Sequence, residues 1–123
     1  MNVSLTAQKA YAQNAAPVST PRGVEYDAFA RVTRHLKSAV SAGSLNKLAP
    51  ALHDNRRLWT VLAADVADPK NALPADLRAR IFYLAEFTEQ HSRKVLQNKV
   101  TANPLIEINL AVMRGLRQNG GSK

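Results

Sequence analysis

Three histidines and two aspartates are the residues of this chain best suited by type to bind a metal ion or transfer a proton. His35, His53 and His91 fall on three different predicted helices, with no His-x-x-x-His spacing and no adjacent carboxylate ligand set. Asp65 and Asp68 lie one helical turn apart, as a paired general acid and base would. They come at the predicted end of a helix, just before a proline, which is typical of a turn. We therefore predict no metal site and a structural role for both aspartates.

Other common catalytic elements are missing from the sequence as well. There is no cysteine, which excludes disulfides, thiol nucleophiles and thiolate metal sites together. The sequence has no glycine-rich phosphate loop and no serine in a nucleophile turn. We expect a protein that is not an enzyme, with no catalytic residues and no cofactor.

The only tryptophan lies close to a pair of arginines, and both residue types dominate the binding energy of protein interfaces. Trp59 falls on the apolar stripe of a predicted helix, which favours a position in the core. Arg56 and Arg57 point away from that stripe and from each other, so at least one of them is expected at the surface. An arginine could equally pair with Asp54 or Glu86 across the bundle and have no further role.

The helix that carries Trp59 has one polar residue on its packing stripe. The stripe steps by three and four residues along Leu45, Leu48, Leu52, Asn55, Trp59, Leu62 and Val66. Asn109 lies on or beside the apolar stripe of a later helix. An amide buried without partners costs about 1–3 kcal/mol. Asn55 and Asn109 therefore either bond to each other or to backbone and fix the helix register, or face a groove that receives a partner's backbone.

The apolar spacing predicts an all-α fold, a small antiparallel bundle of four main helices plus a short N-terminal helix. No segment alternates apolar and polar residues for long enough to form a strand. We expect one domain over 1–123, divided into an N-terminal helix and linker (1–20), the helical bundle (21–118) and a disordered tail (119–123).

The last predicted helix has apolar residues on most of its circumference. They are Leu105, Ile106, Ile108, Leu110, Val112, Met113 and Leu116. One buried stripe in a bundle of this size needs fewer. Either this helix is central, or one of its faces receives a helix of another protein, for which Met113 would provide an adaptable contact.

The chain is strongly basic, with a net charge of +8 and a pI near 10.3. Such a surface favours anionic partners, although solvated helix faces explain much of it. Only Asp54 opposes the basic residues from Arg31 to Arg57, and only Glu107 opposes those from Arg93 onward. No apolar run approaches the roughly 20 residues of a membrane span, so we expect a soluble, cytoplasmic protein without membrane insertion.

Three blocks of this sequence resemble the FlaF family, the flagellin-biosynthesis regulators of alphaproteobacteria. They are GVEYDAFARVT (23–33), NRRLWTVLAADVADPKNALPADLRA (55–79) and PLIEINLAVMRGL (104–116). The resemblance covers nearly the whole chain, and the NRRLW and LIEIN parts are specific rather than compositional. It implies a cytoplasmic flagellar biosynthesis protein that binds flagellin as an export chaperone and supports its synthesis and secretion, acting with the translational regulator FlbT.

This resemblance leads to a prediction of the binding surface. Flagellin's terminal segments are amphipathic and unfolded before assembly, and a helical groove could shield them. The groove would be lined by Asn55, Arg56, Arg57, Trp59, Ile106, Asn109 and Met113. The alternative is direct binding of flagellin messenger RNA, with the basic residues between Arg31 and Arg57 contacting phosphates. Few aromatic residues are available for base stacking, which counts against sequence-specific RNA recognition. The oligomeric state is left open.

Overall fold

The structure of the chain, a computed structural model, describes residues 21–121, and the side chains of residues 26–115. It contains helices α1 (Pro21–Ala42), α2 (Leu45–Ala67), α3 (Ala75–Leu96) and α4 (Asn103–Gly121). Within this range there is no strand. The prediction of an all-α bundle of four main helices is therefore confirmed. The predicted N-terminal helix and linker lie outside the described residues.

Two residues with left-handed backbone conformation end the odd-numbered helices. Gly43, at a φ of +68°, donates its N–H to the carbonyl of Ala39 and ends α1, as the sequence predicts. Asn98, at a φ of 62°, follows α3, and its N–H bonds the Val95 carbonyl. The next amide, of Lys99, reaches back to Lys94 and completes a helix-ending motif. Both turns thus have well-defined geometry.

The turn between α2 and α3 is closed by side chains. Asp68 accepts a hydrogen bond from the Lys70 amide at 2.9 Å, and Asn71 accepts one from the Leu73 amide at 2.9 Å. The Asn71 amide group also donates to the main-chain carbonyl of Asp65. These contacts give Asp68 the structural role that the sequence indicates.

The four helices form a ring in which α2 lies between α1 and α3, and α4 packs chiefly on α1. The core consists of two apolar clusters. One is built around Leu36, Leu52, Val95 and Leu105, and the other around Phe29, Trp59, Leu62 and Ala85. Along each helix, a buried polar residue comes between the members of the two clusters: Thr33, Asn55, Thr88 and Asn109. A polar layer therefore crosses the middle of the bundle.

Helix α3 packs through smaller residues than its apolar pattern predicts. The spacing predicts a stripe of Leu77, Ile81, Leu84, Thr88, His91 and Val95, flanked by Phe82 and Phe87. Thr88 and Val95 are buried as predicted, but Leu84 and His91 are only half-buried, whereas Ser92 is fully buried and Ala85 is 9% exposed beside them. The small side chains let α3 approach α2 closely beside the large ring of Trp59. Because α3 is rotated in this way, Phe82 is left exposed.

The packing of helix α4 favours one of the two alternatives for its apolar residues. Its large apolar side chains from Leu105 to Met113 are all buried or half-buried, because they contact both core clusters. This packing accounts for the apolar surplus of the helix without a partner. The helix extends to Gly121.

Among residues 21–121, no helix combines the length and the apolar character required to cross a membrane.

Candidate functional site

A buried chain of hydrogen bonds, here called the amide network, joins α2 to α4. The indole Nε1–H of Trp59 donates to Oδ1 of Asn109 at 2.9 Å, and Nδ2 of Asn109 donates to Oδ1 of Asn55 at 2.8 Å. The exposed fraction is 1% for Trp59 and 0% for both asparagines. The side chain of Asn109 thus uses both ends of its amide, which fixes its orientation. Of the alternatives that the sequence leaves open for the two asparagines, the structure shows that they bond to each other.

Three buried polar atoms beside this network have no hydrogen-bond partner among the described residues. They are Nδ2 of Asn55, Oγ1 of Thr88 and Oγ of Ser92. Each unpaired buried group costs about 1–3 kcal/mol. We expect such a layer to specify which helices meet at this level rather than to add stability.

On the outer surface of α2 and α3, a charged group called the rim cluster consists of Arg56, Glu89 and Arg93. Nε of Arg56 donates to Oε1 of Glu89 at 3.0 Å, and its Nη2 contacts the second carboxylate oxygen, which makes the pair bidentate. Arg93, one helical turn further along α3, donates from Nε to the same carboxylate at 3.2 Å. About one third of the Arg56 and Glu89 side chains is exposed.

These contacts shift the titration of the carboxylate and the guanidinium in opposite directions. The hydrogen bond from Arg56 holds the pKa of Glu89 below its ordinary value of 4.5, against the effect of partial burial, and Arg93 adds to this lowering. The same hydrogen bond raises the pKa of Arg56. Both groups therefore stay charged at neutral pH.

A groove between α2 and α3 lies directly against the rim cluster. It has a volume of about 460 Å³, and its apolar lining comes from Trp59, Ala63, Phe82 and Ala85. A second depression of about 320 Å³ shares Arg56, Thr60 and Glu89 with it and extends over Arg57 and Val61. We call the two together the α2/α3 groove. Val61 is 68% exposed and Phe82 42%, so the groove offers apolar contact area that the bundle itself does not cover.

Comparison with known protein families matches residues 7–116 to the flagellar protein FlaF family. The chain belongs to the FlaF family. Comparison with curated proteins and with solved structures gave no significant match. The family match includes all three members of the amide network and all three members of the rim cluster.

The amide network gives a physical reason for two of the sequence blocks that resemble FlaF. The NRRLW block provides Asn55 and Trp59, and the LIEIN block provides Asn109. These blocks are more than 40 residues apart in sequence, and the hydrogen bonds through Asn109 bring them together in the core. Both blocks thus contribute to holding the FlaF bundle in one helix register.

The residues expected to line a binding groove separate into two groups. Arg56 and Arg57 lie at the surface and line the α2/α3 groove. The remaining five lie on the inner side of the bundle: Asn55, Trp59, Ile106, Asn109 and Met113. Four of these are buried and Met113 is half-buried, with its sulfur 3.9 Å from the Thr33 hydroxyl. Only Trp59 of these five also borders the α2/α3 groove, so the structure does not bring all seven predicted residues to one surface.

Sequence reasoning missed the residues that form the other wall of the groove. Glu89, and not Asp54 or Glu86, binds Arg56. The apolar spacing places Phe82 on the flank of the α3 stripe and does not include Ala85. A signal was present in the spacing, because Ala85, Thr88 and Ser92 form a stripe of small residues at helical intervals next to the larger one.

The histidines do not form a site. His35 lies 4.0 Å from Asp54 at the surface, and His91 binds the Thr101 carbonyl oxygen at 2.8 Å while it stacks on Phe87. His91 is half-buried and hydrogen-bonded, and His53 borders the shallow part of the groove. Over the part of the chain that the structure describes, no three histidine, aspartate or glutamate side chains cluster closely enough to hold a metal ion.

Proposed function

We propose that this FlaF-family protein binds flagellin through the α2/α3 groove, acts as its export chaperone and supports its synthesis and secretion together with FlbT. The observation that carries the proposal is the groove itself, in a chain whose family is flagellar. The apolar partner surface expected on α4 is assigned here to α2 and α3, because the described apolar residues of α4 are used by the core.

The shape and composition of the groove suit an amphipathic helix. Two antiparallel helices with small residues between them leave a channel into which a third helix can place its apolar side chains at three- and four-residue intervals. Phe82 and Val61 provide exposed apolar area at two positions of this channel. The rim cluster and Arg57 provide charged contacts beside it, which can select the partner's orientation.

The interior explains how the groove keeps its shape without a partner. Trp59, only 1% exposed, borders the groove from the inside, and its indole N–H is held by Asn109. Phe29 contacts the same ring edge-on, with 5.5 Å between ring centroids. The amide network thus supports the floor of the groove from below, and a preformed floor reduces the entropy cost of binding.

The proposal is tested by titrating the full chain with purified flagellin and with its isolated terminal segments, using calorimetry and co-elution. We expect binding by the unchanged protein. Phe82→Asp should weaken it at least tenfold, because it places a charge in the apolar channel. Tyr83→Asp is the matched control, since Tyr83 is 65% exposed but does not line the groove, and it should bind normally.

Two results would contradict this assignment. Absence of both heat and co-elution with every flagellin segment would remove flagellin as the partner. Equal losses in Phe82→Asp and Tyr83→Asp would place the binding surface elsewhere. Adding FlbT to the complex then measures whether FlbT joins it, competes with flagellin or does neither.

RNA binding is the alternative, favoured by one observation on α1. Arg31, Arg34 and Lys37 recur at three-residue intervals, and all three are exposed. Contacts of this kind with phosphates release counterions, so binding to flagellin messenger RNA should fall steeply between low and physiological salt. A salt-independent response would exclude phosphate contacts by these residues.

A further inference from the structure

The end of the bundle that carries the α1–α2 and α3–α4 turns, here called the turn end, is a second surface with exposed apolar side chains, apart from the α2/α3 groove. Four large aliphatic side chains are more than one third exposed there: Val40, Leu45, Leu96 and Val100. They come from all the segments that meet at this end. Both turns border the same core cluster, which contains Ala39 of α1, Ala51 of α2, Val95 of α3 and Ala102 before α4. The exposed aliphatic residues therefore lie at the same end of the bundle.

Lysines accompany these aliphatic side chains and outnumber the carboxylates near them. Lys37, Lys47, Lys94 and Lys99 are all exposed within about two helical turns of the two loops. Neither 28–53 nor 90–106 contains an aspartate or glutamate. Of the flanking carboxylates, Glu89 is already bound by two arginines, and the exposed Glu107 on α4 is the one that lies within two helical turns of a loop. The turn end thus keeps a net positive charge, because four lysines face this one nearby carboxylate.

We propose that the turn end is a docking site for an anionic lipid surface. Lysines can contact lipid phosphates while the aliphatic side chains enter the boundary between headgroups and acyl chains, about 5–10 Å deep. The contact is shallow, and the helices stay outside the hydrocarbon core. This surface is separate from the α2/α3 groove, and the inference is independent of the proposed function.

The residue types at this end favour lipid over the other anionic partners. None of the four exposed apolar residues is aromatic, so they provide no stacking surface for nucleic-acid bases. Tryptophan and tyrosine, which with arginine dominate the binding energy of protein interfaces, are not among the four exposed apolar residues of the turn end. Leucine and valine next to lysine match the two parts of a bilayer surface, an apolar layer beneath a layer of phosphates.

Vesicle flotation with the full chain tests this inference. We expect binding to vesicles of phosphatidylcholine with 30% phosphatidylglycerol, and little binding to phosphatidylcholine alone. Replacing Lys47, Lys94 and Lys99 by glutamine should reduce partitioning about fivefold for each lysine. Replacing Leu45 and Val100 by serine should reduce it by roughly tenfold, because their insertion is lost.

Matched controls keep the net charge and the apolar area comparable. The first replaces Lys70, Arg80 and Arg114, all exposed and outside the turn end, by glutamine. The second is Tyr83→Ser, which removes an exposed aromatic ring from α3. Circular dichroism of every variant verifies the helical fold. Both controls should bind anionic vesicles as the unchanged protein does.

Three outcomes would overturn the inference. One is the absence of flotation with anionic vesicles by the unchanged, folded protein. Another is an equal loss in the lysine variant and its charge-matched control, which would mean that only net charge matters. The third is binding to an RNA homopolymer that depends on the same lysines, while the Leu45 and Val100 variant floats normally.

Discussion

The amide network and the rim cluster both connect α2 to another helix through polar side chains, but in opposite environments. The amide network is neutral, buried and joins α2 to α4 through Asn109. The rim cluster is charged, about one third exposed at Arg56 and Glu89, and joins α2 to α3. In the interior, a polar atom that loses its partner cannot turn to water, whereas at the surface it can. We therefore expect loss of a partner to cost much more inside than outside.

The largest effect is expected when the centre of the amide network is removed. Asn109→Ala leaves the Trp59 indole N–H and the side-chain Oδ1 of Asn55 without partners and opens a small cavity. The free energy of unfolding, measured in urea, should fall by about 3–5 kcal/mol. Asn46→Ala, an exposed asparagine on α2, is the control and should change it by less than about 0.5 kcal/mol. Similar values for the two variants would show that burial does not set the difference.

A smaller effect should separate the hydrogen bond between the asparagines from their packing. The double variant Asn55→Leu with Asn109→Leu should lose less free energy of unfolding than the two single variants lose together, by about 1–2 kcal/mol. The reason is that each single variant leaves one asparagine without its partner, whereas the double variant removes both. The double variant also removes the unpaired Nδ2 of Asn55. A double-mutant cycle in urea measures this coupling. Additive losses would mean that the asparagines do not stabilise each other.

The smallest effect is expected at the rim cluster, and it should depend on pH. Because the folded pKa of Glu89 is lowered, its contribution to stability is present above its unfolded pKa and is lost as the pH falls through the folded value, below 4.5. Solvent screening limits the contribution to less than about 1 kcal/mol. Glu89→Gln should abolish this part of the acid dependence, and Glu107→Gln should retain it. Identical acid dependence in all three proteins would exclude Glu89 as its source.

Much of the fold could be predicted because its signals are local. Gly43 ends α1, Asp68 closes the next turn, and the stripe of α2 contains Asn55 as a buried polar residue. Each of these follows from backbone preference or from spacing along one helix. The pairing of Asn55 with Asn109 could also be anticipated, since a buried amide requires a partner.

The groove could not be predicted, because it depends on how far α3 is rotated about its own axis. A rotation of about 100°, which is one residue position, decides which of Leu84 and Ala85 is the more buried. The partner of Arg56 is Glu89, which lies nearly one helical turn further along α3 than Glu86. The apolar pattern of α3 gives weight to large residues, whereas its contact with the Trp59 ring selects small ones. The same reasoning assigned a binding face to α4, whose described apolar side chains instead fill both core clusters.

Trp59 is the only tryptophan of the chain, and it lies in the middle of the bundle with its indole N–H held by an amide oxygen. The protein therefore has, in addition to its tyrosines, a single indole fluorophore, located where the floor of the groove meets the interior. Its emission reports solvent access at that point without any attached label. Ligands that only occupy the α2/α3 groove will leave the emission maximum of Trp59 at short wavelength. Ligands that draw α2 away from α4 will shift it to longer wavelengths.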